Sequence, residues 1–263
     1  MSDEPARLVT CDERDGVMLV RLARPERRNA LTAGMLARLA EIFTAVGRRR
    51  DLRAVVLSGE GAHFCAGSDI AELRGLDAAG ALERARSGQA VCDLIESCGV
   101  PVVASLRGAA AGGGCELALA CHLRVASDDA FFSLPETSLG LIPAYGGTQR
   151  LPRAIGRAAA LSAMLAGGRI TARAALGLGL VNLVVASEDT SARAEEMARR
   201  IARDAAPLAV RACLEAVTRG ARLPLEDGLT LEAELFAGLF STADAREGTS
   251  AFLEKRPPVF KGE

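Results

Sequence analysis

Three observations predict an α/β fold with a helical C-terminal section in this chain of 263 residues. Short apolar, β-branched runs alternate with helical spacing up to about residue 185, the pattern of an α/β core. From Thr190 onward the pattern is almost all helix. Small-residue turns punctuate the first part, and two of them lie close to carboxylates: Phe64-Cys65-Ala66-Gly67-Ser68-Asp69 and Gly112-Gly113-Gly114-Cys115-Glu116.

Residues 16–21 (Gly-Val-Met-Leu-Val-Arg) and 53–58 (Arg-Ala-Val-Val-Leu-Ser) read as buried strands bounded by turn residues. Thr32 precedes residues 33–46, where Met35, Leu36, Leu39, Ile42 and Phe43 recur at helical spacing behind a Thr cap. Residues 69–73 are helical in pattern. Residues 100–105 read as a strand, since Pro101 is tolerable at a strand's first position. The run 117–120 continues a helix opened by the glycines, and 124–126 and 131–134 read as short strands. Four helices follow, over 192–204, 207–219, 224–240 and 244–253. The division expected is a catalytic α/β core over 1–190 and a helical region over 191–263.

Composition removes several classes. The chain is 49% hydrophobic and 25% charged, with a formal net charge of −1. Such a balance gives no basis for nucleic-acid binding, and no apolar run approaches the ~18 residues of a membrane span. The helix around 79–98 carries Arg84 and Arg86 but also Glu83, Asp93 and Glu96, so it has no basic stripe. Met1-Ser2-Asp3-Glu4-Pro5 lacks a basic-then-apolar signal pattern, which predicts a cytoplasmic protein. Seven scattered cysteines without a Cys-x-x-Cys pair read as reduced thiols, and His63 and His122 stand far apart, so no metal site is expected. Thirty of the 32 basic residues are arginine, leaving Lys255 and Lys261 as the only lysines.

The chemistry lies in residues 108–136. The glycine run is not a P-loop, because no Gly-Lys-Ser/Thr follows, nor a dinucleotide fingerprint, because Leu117 takes the third glycine position. It can open a helix whose first-turn N–H groups are unobstructed, and an oxyanion is stabilised there. Glu116 falls in that first turn. The turn at 65–68 lets a ligand approach a second stretch of backbone. Two N–H donors from separate segments make an oxyanion hole, worth about 3 kcal/mol per donor. Glu136, after Pro135, supplies a second carboxylate.

These residues resemble the enoyl-CoA hydratase/isomerase (crotonase) family. The resemblance rests on Asn29-Ala30-Leu31, the turn from Phe64 to Ile70, Gly112-Gly113-Gly114-Cys115-Glu116-Leu117-Ala118, Leu134-Pro135-Glu136 and Gly146-Gly147-Thr148-Gln149-Arg150-Leu151. It runs nearly end to end and finishes with Glu254-Lys255-Arg256-Pro257-Pro258. It implies a spiral of ββα units with a C-terminal helical trimerisation region, assembled as a homotrimer or a dimer of trimers. It implies an acyl-CoA substrate, with CoA part of that substrate and no separate cofactor. Ser68 and Gly113 would form the oxyanion hole by their N–H groups. Glu116 and Glu136 match the two glutamates of the family's hydratases, Glu116 chiefly for the water and Glu136 for the Cα proton. Retention of both favours addition of water across a 2-enoyl-CoA double bond. The alternative is a Δ3-Δ2-enoyl-CoA isomerase, or a hydratase of branched or cyclic enoyl groups such as methylglutaconyl-CoA, which the tail and Leu134-Pro135-Glu136-Thr137 resemble.

The CoA contacts implied are Arg27 and Arg28 in the Arg-Pro-x-x-x-Asn segment, Ala66, Ser68, Asp69, Ile70 and Ala71 along the adenine and pantetheine path, Gly113, and Phe236 and Lys255 from a neighbouring subunit. Departures from the family's pattern are His122 for Asp, read as structural, and Ala144 for Gly near the water site, where the N–H remains. Tyr145, the sole tyrosine, is a candidate to touch the acyl group.

Overall fold

A computed structural model describes residues 7–263; the N-terminal segment read above for targeting lies outside them. The expected strands and helices form, with bounds shifted by a residue or two. β1 (Val9–Arg14) and β2 (Val17–Leu22) make an antiparallel hairpin. Asp15 and Gly16 turn it with φ of 53° and 72°, the left-handed pair that matches strand twist. Then come α1 (Ala33–Arg48), β3 (Ala54–Gly59), α2 (Ile70–Leu73), α3 (Ala78–Ser97), β4 (Val102–Leu106), β5 (Ala109–Ala111) and α4 (Gly113–Ala120). They are followed by β6 (Leu123–Ser127), β7 (Phe131–Ser133), α5 (Gly147–Ile155), α6 (Arg157–Leu165), β8 (Ile170–Thr171), α7 (Ala172–Gly177) and β9 (Leu183–Val185). The helices α8 (Thr190–Asp204), α9 (Pro207–Gly220), α10 (Leu225–Leu239) and α11 (Ala243–Glu254) complete the chain.

The large sheet has the order β1-β2-β3-β4-β6-β9, parallel from β2 onward. A smaller sheet, β5-β7-β8, stands beside it, and Cys65 joins its edge through a parallel bridge to Ala110. The passes through β4 and β5 and through β6 and β7 each add one strand to each sheet before a helix returns the chain, which is the spiral expected.

Side chains of the large sheet alternate with period two between two buried faces. Val20, Leu22, Val55, Leu57, Val102, Ala104 and Ala126 join the main core with α1, α3 and α4. Val17, Leu19, Ala54, Val56, Val103 and Val125 point the other way, onto Ala194 and Ala198 of α8. α8 therefore covers the second face of the sheet, while α10 packs on α9.

The strand at 9–14 escapes sequence reading because Thr10 to Arg14 are polar and largely exposed along a sheet edge. β5 escapes because Ala-Ala-Ala carries little strand preference, and its pairing to β7 alone defines it.

Ala198 is fully buried against valines of the sheet. Ala198→Asp buries a carboxylate with no partner, and a loss of about 3 kcal/mol or more is expected in chemical denaturation.

Candidate active site

The candidate residues gather at the carboxyl ends of the parallel strands, where an α/β sheet opens a crevice. The loop after β3 and the β5-to-α4 turn meet there backbone to backbone. The positive φ of Gly67 (105°) and Gly112 (50°) excludes most side chains. A methyl carbon on Gly67 would lie 2.9 Å from Ala111 O and 3.5 Å from Gly113 N, and one on Gly114 only 2.3 Å from Cys65 O.

The 65–69 turn is held from its other side by residues 24–31. Asn29 is fully buried. Its Oδ1 accepts from Arg24 N at 2.9 Å, and its Nδ2 donates to Glu60 O and His63 O at 2.9 and 2.8 Å. Ala66 N donates to Arg28 O, Leu31 N to Gly67 O, and Asp69 N to Leu31 O. Arg24 closes the clamp with an ion pair to Asp69 at 2.6 Å. This one-sided bonding leaves the Ser68 N–H without an acceptor among the described residues, and Gly113, first residue of α4, likewise keeps a free N–H. Ser68 and Gly113 are thereby brought together as two open donors.

Glu116 is 2% exposed. Its Oε1 accepts from the backbone N–H of Tyr145 at 2.8 Å and of Gly147 at 2.7 Å. Burial raises its pKa to about 7, against the lowering effect of the Gly147 N–H, and the nearby Glu136 charge adds to the rise. Glu136 opens a short 3-10 turn, Glu136–Leu139. Its Oε1 faces the backbone of Gly112, where a methyl carbon would lie 3.2 Å away. Its Oε2 is buried without a hydrogen-bond partner among the described residues, and burial raises its pKa as well. Among the described residues neither carboxylate has an ion-pair partner. Two neighbouring carboxyls without a cation each make the other harder to ionise.

The thiols beside the site are not poised to react. Burial pushes Cys65 up to about 12 and raises Cys92 and Cys115 too. Cys65 Sγ donates to Asn29 O at 3.1 Å. His122 is structural: its Nδ1 accepts from Val102 N at 3.0 Å, its Nε2 meets Glu96 O at 3.1 Å, and burial lowers its pKa. No cluster of three or more metal-ligating side chains occurs among the described residues.

Of the CoA contacts implied, Ala66, Asp69, Ile70 and Ala71 follow the clamped turn into α2, where Asp69 Oδ1 caps the Ala71 N–H at 2.9 Å. Arg27 and Arg28 end a 3-10 turn beside them, joined through the Arg28 carbonyl. Phe236 and Lys255 lie elsewhere: Phe236 stands exposed on α10, edge-on to Phe240 at 5.1 Å, and Lys255 caps α11 in a left-handed conformation. Among the described residues no hydrogen bond or ion pair ties either to the glutamates.

Several members of the site carry no motif of their own. The N–H groups that hold Glu116 belong to Tyr145 and Gly147, not to Ala144, whose carbonyl instead accepts from Gln89. Arg24 and Arg84 are two arginines among thirty. Only the Gly146-Gly147 pair signals a backbone approach, since a methyl carbon on Gly147 would crowd Glu116 Oε1 at 3.0 Å.

A two-sheet α/β spiral is an architecture shared with known proteins. The sequence model of the enoyl-CoA hydratase/isomerase family matches residues 12–263. Among curated relatives, 2,3-dehydroadipyl-CoA hydratase of Escherichia coli (strain K12) is 39% identical, over 94% of this chain and 95% of its own. Crotonyl-CoA hydratase of Syntrophomonas wolfei is 37% identical, over 96% of this chain and 97% of its own. The crystal structure of an enoyl-CoA hydratase from Bacillus anthracis superposes with a TM-score of 0.93 at 37% identity, covering 97% of this chain and all of that one. The chain belongs to the enoyl-CoA hydratase/isomerase family of enzymes, and its fold is the crotonase fold expected from sequence.

Glu116 holds its proton more tightly folded than unfolded. Its contribution to stability is therefore intact below the unfolded value near 4.5 and is lost as pH rises through about 7. Glu116→Gln keeps an acceptor for the two N–H groups and removes the charge. The variant is expected to be more stable than wild type at pH 8 by up to ~3 kcal/mol, with the gap closing towards pH 4.5, in thermal melts across that range.

Proposed function

We propose that the protein is an enoyl-CoA hydratase, adding water across the 2,3 double bond of a 2-enoyl-CoA to give the 3-hydroxyacyl-CoA. The observation that carries this reading is the pair of carboxyls without an ion-pair partner, buried Glu116 and half-buried Glu136 with its buried Oε2, beside the two open N–H groups of Ser68 and Gly113. Taking carboxyl oxygens out of water without a cation is costly, and a site built that way has a use for their protons.

In this mechanism the thioester oxygen accepts from Ser68 N–H and Gly113 N–H, which draws charge from Cβ and lets Cα take a proton. Glu116, its Oε1 fixed by two backbone donors, presents Oε2 to a water and removes its proton as oxygen bonds to Cβ. Glu136, protonated, delivers a proton to Cα from the Oε2 that lacks a protein partner. The proton gained by Glu116 replaces the one given by Glu136, so the pair is reset by a single transfer. The reaction as read draws on no cofactor.

The relatives named above act on different acyl groups, one a simple crotonyl and one a dehydroadipyl. The acyl group of this protein is therefore a separate question. For assembly, exposed Phe236, Phe240, Phe252 and Leu253 on α10 and α11 support a homotrimer formed through the C-terminal helices, with Phe236 and Lys255 delivered to a neighbour's CoA. No helix among the described residues is long and apolar enough to cross a membrane.

With crotonyl-CoA as substrate, loss of the conjugated thioester absorbance measures hydration. Glu116→Gln and Glu136→Gln are each expected to lower kcat by about 10²–10⁴. In the wild type, kcat/KM is expected to rise with pH through about 7, as Glu116 ionises to accept the water's proton. A flat profile, or turnover retained in either variant, would sink this mechanism.

A further inference from the structure

Beside the oxyanion hole lie two buried donors that this mechanism leaves unused. The Tyr145 ring is wedged between α3 and α4. A methyl carbon on Gly88 would fall 2.1 Å from its Cδ1, and one on Gly113 would fall 2.8 Å from its Cε2. That fit sets the phenol against Ser68, whose Oγ donates to the Tyr145 hydroxyl at 2.9 Å. The proton of the Tyr145 hydroxyl is then free to be donated to something else.

The Arg84 guanidinium lies against the same phenol. Its Nη2 is bound to Glu72, and Glu72 is itself held in place by the Ala33 N–H at 2.8 Å, at the first turn of α1. Arg84 Nη1 is buried and has no acceptor among the described residues, and the side chain is only 11% exposed. Glu72 therefore anchors one arm of the fork and leaves Nη1 without a partner among the described residues.

A buried donor without an acceptor is costly, and Arg84 Nη1 beside the Tyr145 hydroxyl implies an acceptor that arrives with the ligand. A guanidinium fork beside a hydroxyl suits a carboxylate better than a carbonyl or a hydroxyl, because charge-assisted hydrogen bonds are stronger and Arg matches carboxylate geometry. An apolar acyl tail would leave both donors unpaired, so the same groups act against neutral chains.

We propose that Arg84 and Tyr145 bind a carboxylate at the far end of the acyl group, and that the preferred substrates are short 2-enoyl-CoA thioesters ending in a carboxylate. The thioester oxygen sits at the Ser68 N–H, and the path onward runs through Ser68 Oγ and the Tyr145 hydroxyl to Arg84. The substrate class named here rests on the hydratase reading; the carboxylate contact itself does not.

Saturated adipyl-CoA and hexanoyl-CoA cannot be hydrated, so titration calorimetry with both reads the contact whatever the chemistry. Adipyl-CoA is expected to bind about 10- to 100-fold more tightly than hexanoyl-CoA. In Arg84→Gln that ratio should fall to near one, with Arg84→Lys recovering part of it. Tyr145→Phe, which keeps the backbone N–H on Glu116, should lower the ratio several-fold, and thermal melts would verify that each variant is folded. Equal affinities in the wild type, or a ratio unchanged in folded Arg84→Gln or Tyr145→Phe, would overturn the proposal. The same proteins assayed with 2-hexenoyl-CoA and its 6-carboxylate counterpart separate the two readings: a preserved binding preference without any turnover would overturn hydration alone.

Discussion

The close approach of two stretches of bare backbone, at 65–68 and 111–114, is the constraint on which the rest of the structure depends. Gly67 and Gly114 come so near the opposing chain that a side chain at either would meet carbonyl oxygen well inside contact distance. That approach puts the Ser68 and Gly113 N–H groups side by side. It also directs the first turn of α4, and hence Glu116, towards Glu136.

Backbone cannot be held this way by packing alone, because every buried N–H and C=O needs a partner. Residues 24–31 supply partners on one side, through Asn29 and the parallel bonding of Leu31 to Gly67 and Asp69. The small sheet supplies them on the other, with Cys65 bonded to Ala109 and Ala111. The donors left over are the Ser68 and Gly113 N–H groups. The open N–H groups thus lie between stretches of backbone bonded on either side, which preorganises them.

The glutamates show the same division between fixed and free atoms. Glu116 Oε1 is committed to the backbone of Tyr145 and Gly147, and Glu136 Oε1 lies against Gly112. Glu136 Oε2 is left unpartnered. Burial raises both acids, Glu116 to about 7. Tyr145 links this acid pair to the open donors: its backbone holds Glu116, while its ring packs on Gly113 and its hydroxyl meets Ser68.

By itself the sequence determined the α/β alternation, the four C-terminal helices and the two small-residue turns with their glutamates. These are local signals: apolar period, a Thr cap, and glycines where backbone must pass closely. The tertiary structure alone decided which N–H groups meet Glu116, why Asn29 is buried, and how Arg84 comes to lie beside Tyr145. Asn29 and Glu60, Arg24 and Asp69, and Glu116 and Gly147 are each about thirty or more positions apart. Such pairings leave no periodicity in a single chain, because they arise from how the two sheets and the helices between them stack. β5 and the exposed edge strand β1 were decided in the same way, by hydrogen bonds to a neighbour rather than by their own residues.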